Sequence, residues 1–187
     1  MRLVTYGGAC SLDGYIARAD GSVDWLHFSP DVAAIMKDYW ARIDTMLVGR
    51  KTWEVMAASF GGGRARPSKR KNATKAGRIQ TYVFSRTLSD DPAPGVTLVR
   101  DDPGAFVTRL KSGPGKDICV MGGGELAGSL FAAGVIDEVG FNIQPVLLGG
   151  GIPAFVSAGR ETPLELVECR QIDGGCVYVS YRTRTSR

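Results

Sequence analysis

Three observations predict an α/β fold that ends in antiparallel strands. Short apolar runs alternate with amphipathic segments up to about residue 134, the signature of strands and helices in turn. Beyond it, EVGFNIQPVLL, LELVECRQI and CVYVSYRT follow one another with no helical segment between them. At 187 residues, 44% hydrophobic and 22% charged, the chain is long enough for one domain with a sizeable core and short for two. A single domain over residues 1–187 is expected, and neither an internal repeat nor an interdomain linker stands out.

The elements follow in order. RLVTYGGAC is a first strand. SPDVAAIMKDYWARID is a helix with Ser29 as N-cap and Pro30 at the first helical position, where a missing N–H costs nothing. Val32, Ile35, Met36, Tyr39, Trp40 and Ile43 recur at helical spacing, so one face of it is expected to be buried. TMLV then leads through Gly49 into a helix RKTWEVMAA, and TYVF and VTLV are further strands. A helix from about Pro103 to Lys111 has Asp102 as its cap, and DICVM runs through GGG into the helix ELAGSLFAAG. Asp173-Gly174-Gly175 supplies the turn of a hairpin between the last two strands.

Several function classes are excluded or demoted. No run approaches the roughly eighteen apolar residues of a membrane span, and the N-terminus lacks the long apolar segment of a signal peptide, so a cytoplasmic protein is expected. Cys10, Cys119, Cys169 and Cys176 form no CxxC pair, and His27 is the sole histidine, so no metal site is expected. One histidine without a GxSxG elbow also argues against a Ser-His-Asp hydrolase. The formal charge of +4 is concentrated. Seven cations (Arg64, Arg66, Lys69, Arg70, Lys71, Lys75 and Arg78) fall in residues 61–80 with no acid among them, which leaves the rest of the chain net −3. This glycine-rich basic stretch is either a solvated surface loop or a phosphate-attracting one. No nucleic-acid-binding signature accompanies it, and none is expected as a partner.

Two junctions carry chemistry. In TMLVGRKTWEVM, two cations and a threonine follow the glycine where a helix starts, although cations there oppose the macrodipole. An anion at that spot resolves the conflict. In DICVMGGGELAG, a strand, three glycines and a helix start offer backbone N–H groups to a pyrophosphate, or alternatively form a tight turn with close helix packing. The Rossmann fingerprint is matched only weakly, and the acid expected after the next strand is missing. With Ser85-Arg86-Thr87 after TYVF, three phosphate-binding edges at strand C-termini arise in one α/β domain.

The order strand-GRKTWE, strand-FSRTL and strand-MGGGELAGSL, together with SLDGYIA, DGSVDWL and QPVLLGGGIPAF, resembles the dihydrofolate reductase fold. Within it, the chain is similar to the branch containing the C-terminal reductase domain of bacterial riboflavin biosynthesis, from about residue 2 to about residue 183. The resemblance implies a mixed sheet of about eight strands with flanking helices, NADPH as cofactor, a small heterocyclic substrate and a homodimer. It further implies that Gly49, Arg50, Lys51 and Thr52 contact the adenosine-side phosphates. Ser85, Arg86 and Thr87 would receive the 2′-phosphate, and Gly122, Gly123, Gly124, Glu125 and Leu126 would cradle the pyrophosphate. Trp25 resembles the tryptophan of a mobile loop beside the substrate, and Asp13 matches a motif near the nicotinamide. Asp31 takes the place of a substrate-holding carboxylate, one position past where the family spacing sets it. Each of the last three also has a structural reading: core for Trp25, an Asx turn for Asp13 and dipole compensation for Asp31.

The function these residues imply is NADPH-dependent hydride transfer to a pterin- or pyrimidine-like heterocycle. The alternatives are a reductase of another small carbonyl or flavin acceptor, and a nucleotide-binding family member without reductase activity.

Overall fold

The computed structural model describes residues 1–59, 79–89, 92–122 and 124–184. Gly123 and nearly all of the basic stretch, residues 60–78, therefore lie outside the described residues.

Eight strands form one mixed sheet in the order β5-β4-β3-β6-β1-β7-β10-β9. They are β1 (Val4–Ser11), β3 (Ile43–Gly49), β4 (Gln80–Phe84), β5 (Val96–Val99), β6 (Asp117–Met121), β7 (Glu138–Gln144), β9 (Leu164–Ile172) and β10 (Cys176–Thr183). The strands from β5 to β7 are parallel, and β10 pairs antiparallel with both β7 and β9. Two very short strands, β2 (Tyr15–Ala17) and β8 (Ile152–Pro153), pair separately with each other. Their two or three residues are too few to show a period of two, so sequence patterning misses them.

Four helices flank the sheet: α1 (Pro30–Ala41), α2 (Arg50–Ser59), α3 (Pro103–Ser112) and α4 (Gly124–Ala132). Two begin as their caps dictate. The Ser29 hydroxyl accepts from Val32 N at 3.2 Å, and the Asp102 carboxylate accepts from Ala105 N at 2.8 Å. The turn at Asp173–Gly175 is a single 3-10 turn, with Gly174 at φ +78°.

The main core lies on the α3 and α4 side, where Val4, Tyr6, Leu47, Ile118, Val120, Leu130 and Phe141 are all at most 4% exposed. The Tyr6 ring meets Phe131, Phe141 and Phe155 edge-on with centroids 5.5–5.9 Å apart. The opposite side is thinner. The apolar stripe of α1 is buried only in part: Val32 joins Ile172 and Cys176 in a small second core, Ile35 is half-buried, and Met36 remains 44% exposed. Ile43 belongs to β3, not to α1. Further along the stripe Tyr39 is half-buried and its hydroxyl lies 2.7 Å from Thr5 Oγ1 on β1, so the helix touches the sheet at both ends and leaves Met36 between them uncovered.

Candidate functional site

The parallel strands deliver the predicted residues to one place. At the C-terminal edge of the sheet a cleft of about 830 Å³ is lined by residues 49–52 from the β3–α2 junction, 85–87 after β4, and Gly122 with residues 124–126 from the β6–α4 junction. This is where open α/β sheets bind ligands. Phe84, Val99 and Pro103 give one end apolar walls; Ile16, Ala17, Ile152 and Pro153, from the small β2–β8 pair, close the other.

At the α2 start, the conflict between two cations and the helix dipole is partly offset within the chain. The Arg50 guanidinium donates from Nη1 to Glu54 Oε1 at 2.7 Å, one turn along, and Lys51 Nζ lies 3.5 Å from Glu125 Oε1 at the start of α4. Both contacts are solvent-exposed, which makes them weak and easily exchanged for a stronger anion. The starts of α2 and α4 thus face the same cleft with their positive dipole ends. After β4, the Ser85 hydroxyl accepts from Thr87 N and Leu88 N, both at 3.1 Å, which fixes the turn that presents Arg86.

The glycines divide by task. Gly122, at φ +99°, packs so tightly on Thr52 that an added Cβ would overlap that side chain, so the β3–α2 and β6–α4 turns are held against each other there. A Cβ on Gly124 would instead meet Val156 Cγ1 at 2.7 Å, and one on Gly128 would meet Val156 Cγ2 at the same distance. Those two glycines let α4 pack flat on the segment around Val156.

Asp13, Trp25 and Asp31 do not line this cleft. The Asp13 carboxylate accepts from Ser11 Oγ at 2.6 Å, Gly149 N at 2.8 Å and Leu148 N at 3.1 Å, and so holds the loop after β7. Those bonds, Ser11's first, hold its pKa below the ordinary carboxylate value. Asp31 accepts from Asp173 N at 3.2 Å and ties the start of α1 to the β9–β10 turn. Trp25 is half-buried in the segment that precedes α1.

One contributor was missed. Arg100 follows β5 as Arg86 follows β4, so the same strand-end rule would have found it; its Nη2 donates to Leu88 O and Ser89 O, and it lines the cleft. Gly8 is not among the lining residues but stands out in β1. It is exposed although it lies in mid-strand, with open space where a Cβ would stand. The β1–β6 ladder ends at Tyr6 and Val120, while β1 runs on to Ser11 beside β7. The sheet therefore opens between β1 and β6 at Gly8. No group of three or more His, Cys, Asp or Glu side chains capable of holding a metal occurs among the described residues, nor is any helix among them long and apolar enough to cross a membrane.

Against this geometry the comparisons with known proteins are specific. Residues 2–178 match the family described as the RibD C-terminal domain. Among curated relatives, the uncharacterized protein YwjB of Bacillus subtilis (strain 168) is 34% identical over 177 residues, covering 92% of this chain and 93% of its own. YyaP of the same organism, also uncharacterized, is 31% identical over 173 residues, covering 92% and 90%. Among solved structures, a putative riboflavin biosynthesis protein from Shewanella sp. PV-4 superposes with a TM-score of 0.76 at 24% identity, covering 99% of this chain and 100% of that one. A Thermotoga maritima deaminase and 5-amino-6-(5-phosphoribosylamino)uracil reductase gives 0.70 at 15% identity, over 98% of this chain and 57% of that one. Dihydrofolate reductase from Enterococcus faecalis, complexed with NADP(H), gives 0.67 at 16% identity, over 98% and 97%. At these identities the structures establish the dihydrofolate reductase-like fold.

Proposed function

The chain belongs to the RibD C-terminal domain family, and from that premise we propose that it is an NADPH-dependent reductase of a pterin- or pyrimidine-like heterocycle. The observation that carries this reading is the convergence of three strand-end turns, residues 49–52, residues 85–87 and the β6–α4 junction, on one cleft.

The residues suit a dinucleotide phosphate. Arg50 and Arg86 offer forked donors to a 2′-phosphate, with Ser85 fixing the turn between β4 and Arg86. The helix starts at Arg50 and Gly124 favour the pyrophosphate, and Phe84, Val99 and Pro103 form an apolar slot for a planar base. When bound, NADPH supplies the hydride. The protein supplies position: the opening between β1 and β6 at Gly8 leaves room for a flat ring beside bare backbone. The acceptor would stack on that ring from the α1 side, with residues of the segment before α1 closing over it. Trp25 belongs to that segment, and Asp13 braces the loop after β7 that borders the same end. Asp31 would act on the acceptor only by releasing Asp173 N.

Titrating the full chain with NADPH, followed by nicotinamide fluorescence, tests the cofactor. Loss of NADPH absorbance with dihydrofolate, aminopyrimidinediones and quinones as acceptors then tests the reaction. Absence of NADPH binding would refute the proposal; binding without turnover of any heterocycle would favour a nucleotide-binding protein.

A further inference from the structure

A strap of chain closes one end of the cleft: Gly151, Ile152, Pro153 and Val156 line its wall. The strap has little regular structure of its own. Its strand β8 is two residues long, and Pro153 has no N–H to give to the pairing with β2. Its apolar side chains are poorly covered, with Ile152 38%, Phe155 51% and Val156 37% exposed. Between Ile152 and Ser157 only Ala154 is buried, at 0% exposure. Burial therefore holds the strap at a single residue.

Both backbone polar groups of Ala154 are engaged. Its N–H donates to Gly14 O at 2.8 Å, just ahead of β2, and its carbonyl accepts from the Tyr6 hydroxyl. Tyr6 lies in β1, so the second bond ties the strap to the main sheet. The Tyr6 side chain is 2% exposed, and its ring already meets the rings of Phe131, Phe141 and Phe155. Packing there calls for another phenylalanine. A hydroxyl taken into such a core has a desolvation cost that only the bond it makes can offset. That bond in turn satisfies a buried carbonyl, which otherwise stands unpaired.

We infer that Tyr6 is a positioning residue for the cleft: its hydroxyl, through the Ala154 carbonyl, sets how closely the strap of residues 151–156 approaches a bound dinucleotide. The part of the ligand concerned is the end opposite the apolar slot of Phe84, Val99 and Pro103. This rests on the reductase reading of the cleft, in which that end receives the nicotinamide. Without the hydroxyl, the Ala154 carbonyl is left unpaired in the core, and the strap moves outward until water reaches it. The wall then recedes from the nicotinamide half alone, because the turns at residues 49–52 and 85–87 are carried by β3 and β4.

Tyr6→Phe in the full chain tests this with two nucleotides and an amide-exchange measurement. NADPH should bind about five- to tenfold more weakly than to the unmodified chain. Adenosine 2′,5′-bisphosphate, which has the adenine end and no nicotinamide, should bind within about twofold. Exchange of the Ala154 amide proton should speed by at least about tenfold while exchange in β6 stays unchanged. Val107→Ala, a core truncation in α3, is the control: it should lower the melting temperature and leave both affinities as they were. An Ala154 amide that exchanges at the unmodified rate in Tyr6→Phe overturns the inference. Equal losses of both nucleotides, or the same loss of NADPH in Val107→Ala, overturn it too, since a residue of general stability alone behaves that way. Failure of the unmodified chain to bind NADPH overturns the reductase reading and this inference with it, whereas NADPH binding that Tyr6→Phe leaves untouched overturns the inference alone.

Discussion

Replacing Arg50 and Arg86 together by alanine separates phosphate reading from every other cofactor contact. In the free protein Arg50 is held by Glu54 across one helical turn, with side chains 37% and 49% exposed. An exposed pair of that kind contributes about 0.3–0.5 kcal/mol. A charge-assisted bond to a phosphate contributes about 1.5–3 kcal/mol. Exchanging one for the other leaves about 1–2.5 kcal/mol for Arg50, or about 5- to 70-fold in NADPH affinity. Arg86 stands exposed at the end of β4 and adds a term of the same kind. NADH has no 2′-phosphate, so the double variant should bind it within about twofold of the unmodified protein, and the unmodified protein should favour NADPH by at least about tenfold. Fluorescence titration of both dinucleotides against both proteins gives the four dissociation constants required. Glu54→Gln sharpens the test: releasing Arg50 should tighten NADPH by about twofold and leave NADH alone. Equal losses of NADPH and NADH in the double variant would show that the arginines do something other than read the 2′-phosphate. Equal affinities in the unmodified protein would remove the case for NADPH.

Gly122→Ala should destabilise the fold by about 2–4 kcal/mol in chemical denaturation, because it forces a side chain into positive φ and onto Thr52; adding Thr52→Ala should recover only a fraction of the loss, since the Thr52 Cβ itself would stand 2.6 Å from the added carbon, and full recovery would refute both the strain and the overlap. Burial pushes the Cys10 and Cys119 thiols up from 9.0 to about 11, so the unfolded chain ionises first as pH rises. The stability these thiols contribute is fully present below about pH 9 and falls between pH 9 and 11. A urea midpoint that is unchanged over that range would refute the coupling. At pH 8 a thiol reagent should label exposed Cys169 rapidly and Cys10, Cys119 and Cys176 only as fast as the protein opens. Asp13→Ala should speed amide exchange at Leu148 and Gly149, the two N–H groups that its carboxylate binds, and leave exchange in β6 unchanged. In the unmodified protein the same protection should hold above the ordinary carboxylate range and fade as pH falls through Asp13's lowered pKa.

Most of the frame was legible because it rests on local rules. Ser29 and Asp102 cap their helices where their side chains and the following prolines require, and Asp173-Gly174-Gly175 turns the last hairpin through a positive-φ glycine. The three turns that line the cleft were legible for the same reason: each is a glycine, serine or cation placed directly after a buried strand. The α1 stripe was misjudged, since helical spacing states which side chains share a face but not whether the sheet extends beneath it. Met36 is left exposed although Val32 before it and Tyr39 after it both find partners.

By itself, then, the sequence determined the strands of the main sheet, the caps and the turns that carry the candidate phosphate ligands, all of them matters settled within about one turn of chain. The tertiary structure decided what those pieces do together. Only parallel pairing of β3, β4 and β6 sets the turns at residues 49–52, 85–87 and 124–126 along one edge, and only the parting of β1 from β6 exposes Gly8. Gly122 and Gly124 look alike in MGGGE, yet one packs on Thr52 and the other on Val156, 70 and 32 residues away in the chain. Asp13 and Asp31 likewise acquired their surroundings from the loop after β7 and the β9–β10 turn. Those contacts join segments far apart in sequence, and no local propensity encodes them, because they form only when the sheet brings its strands into register.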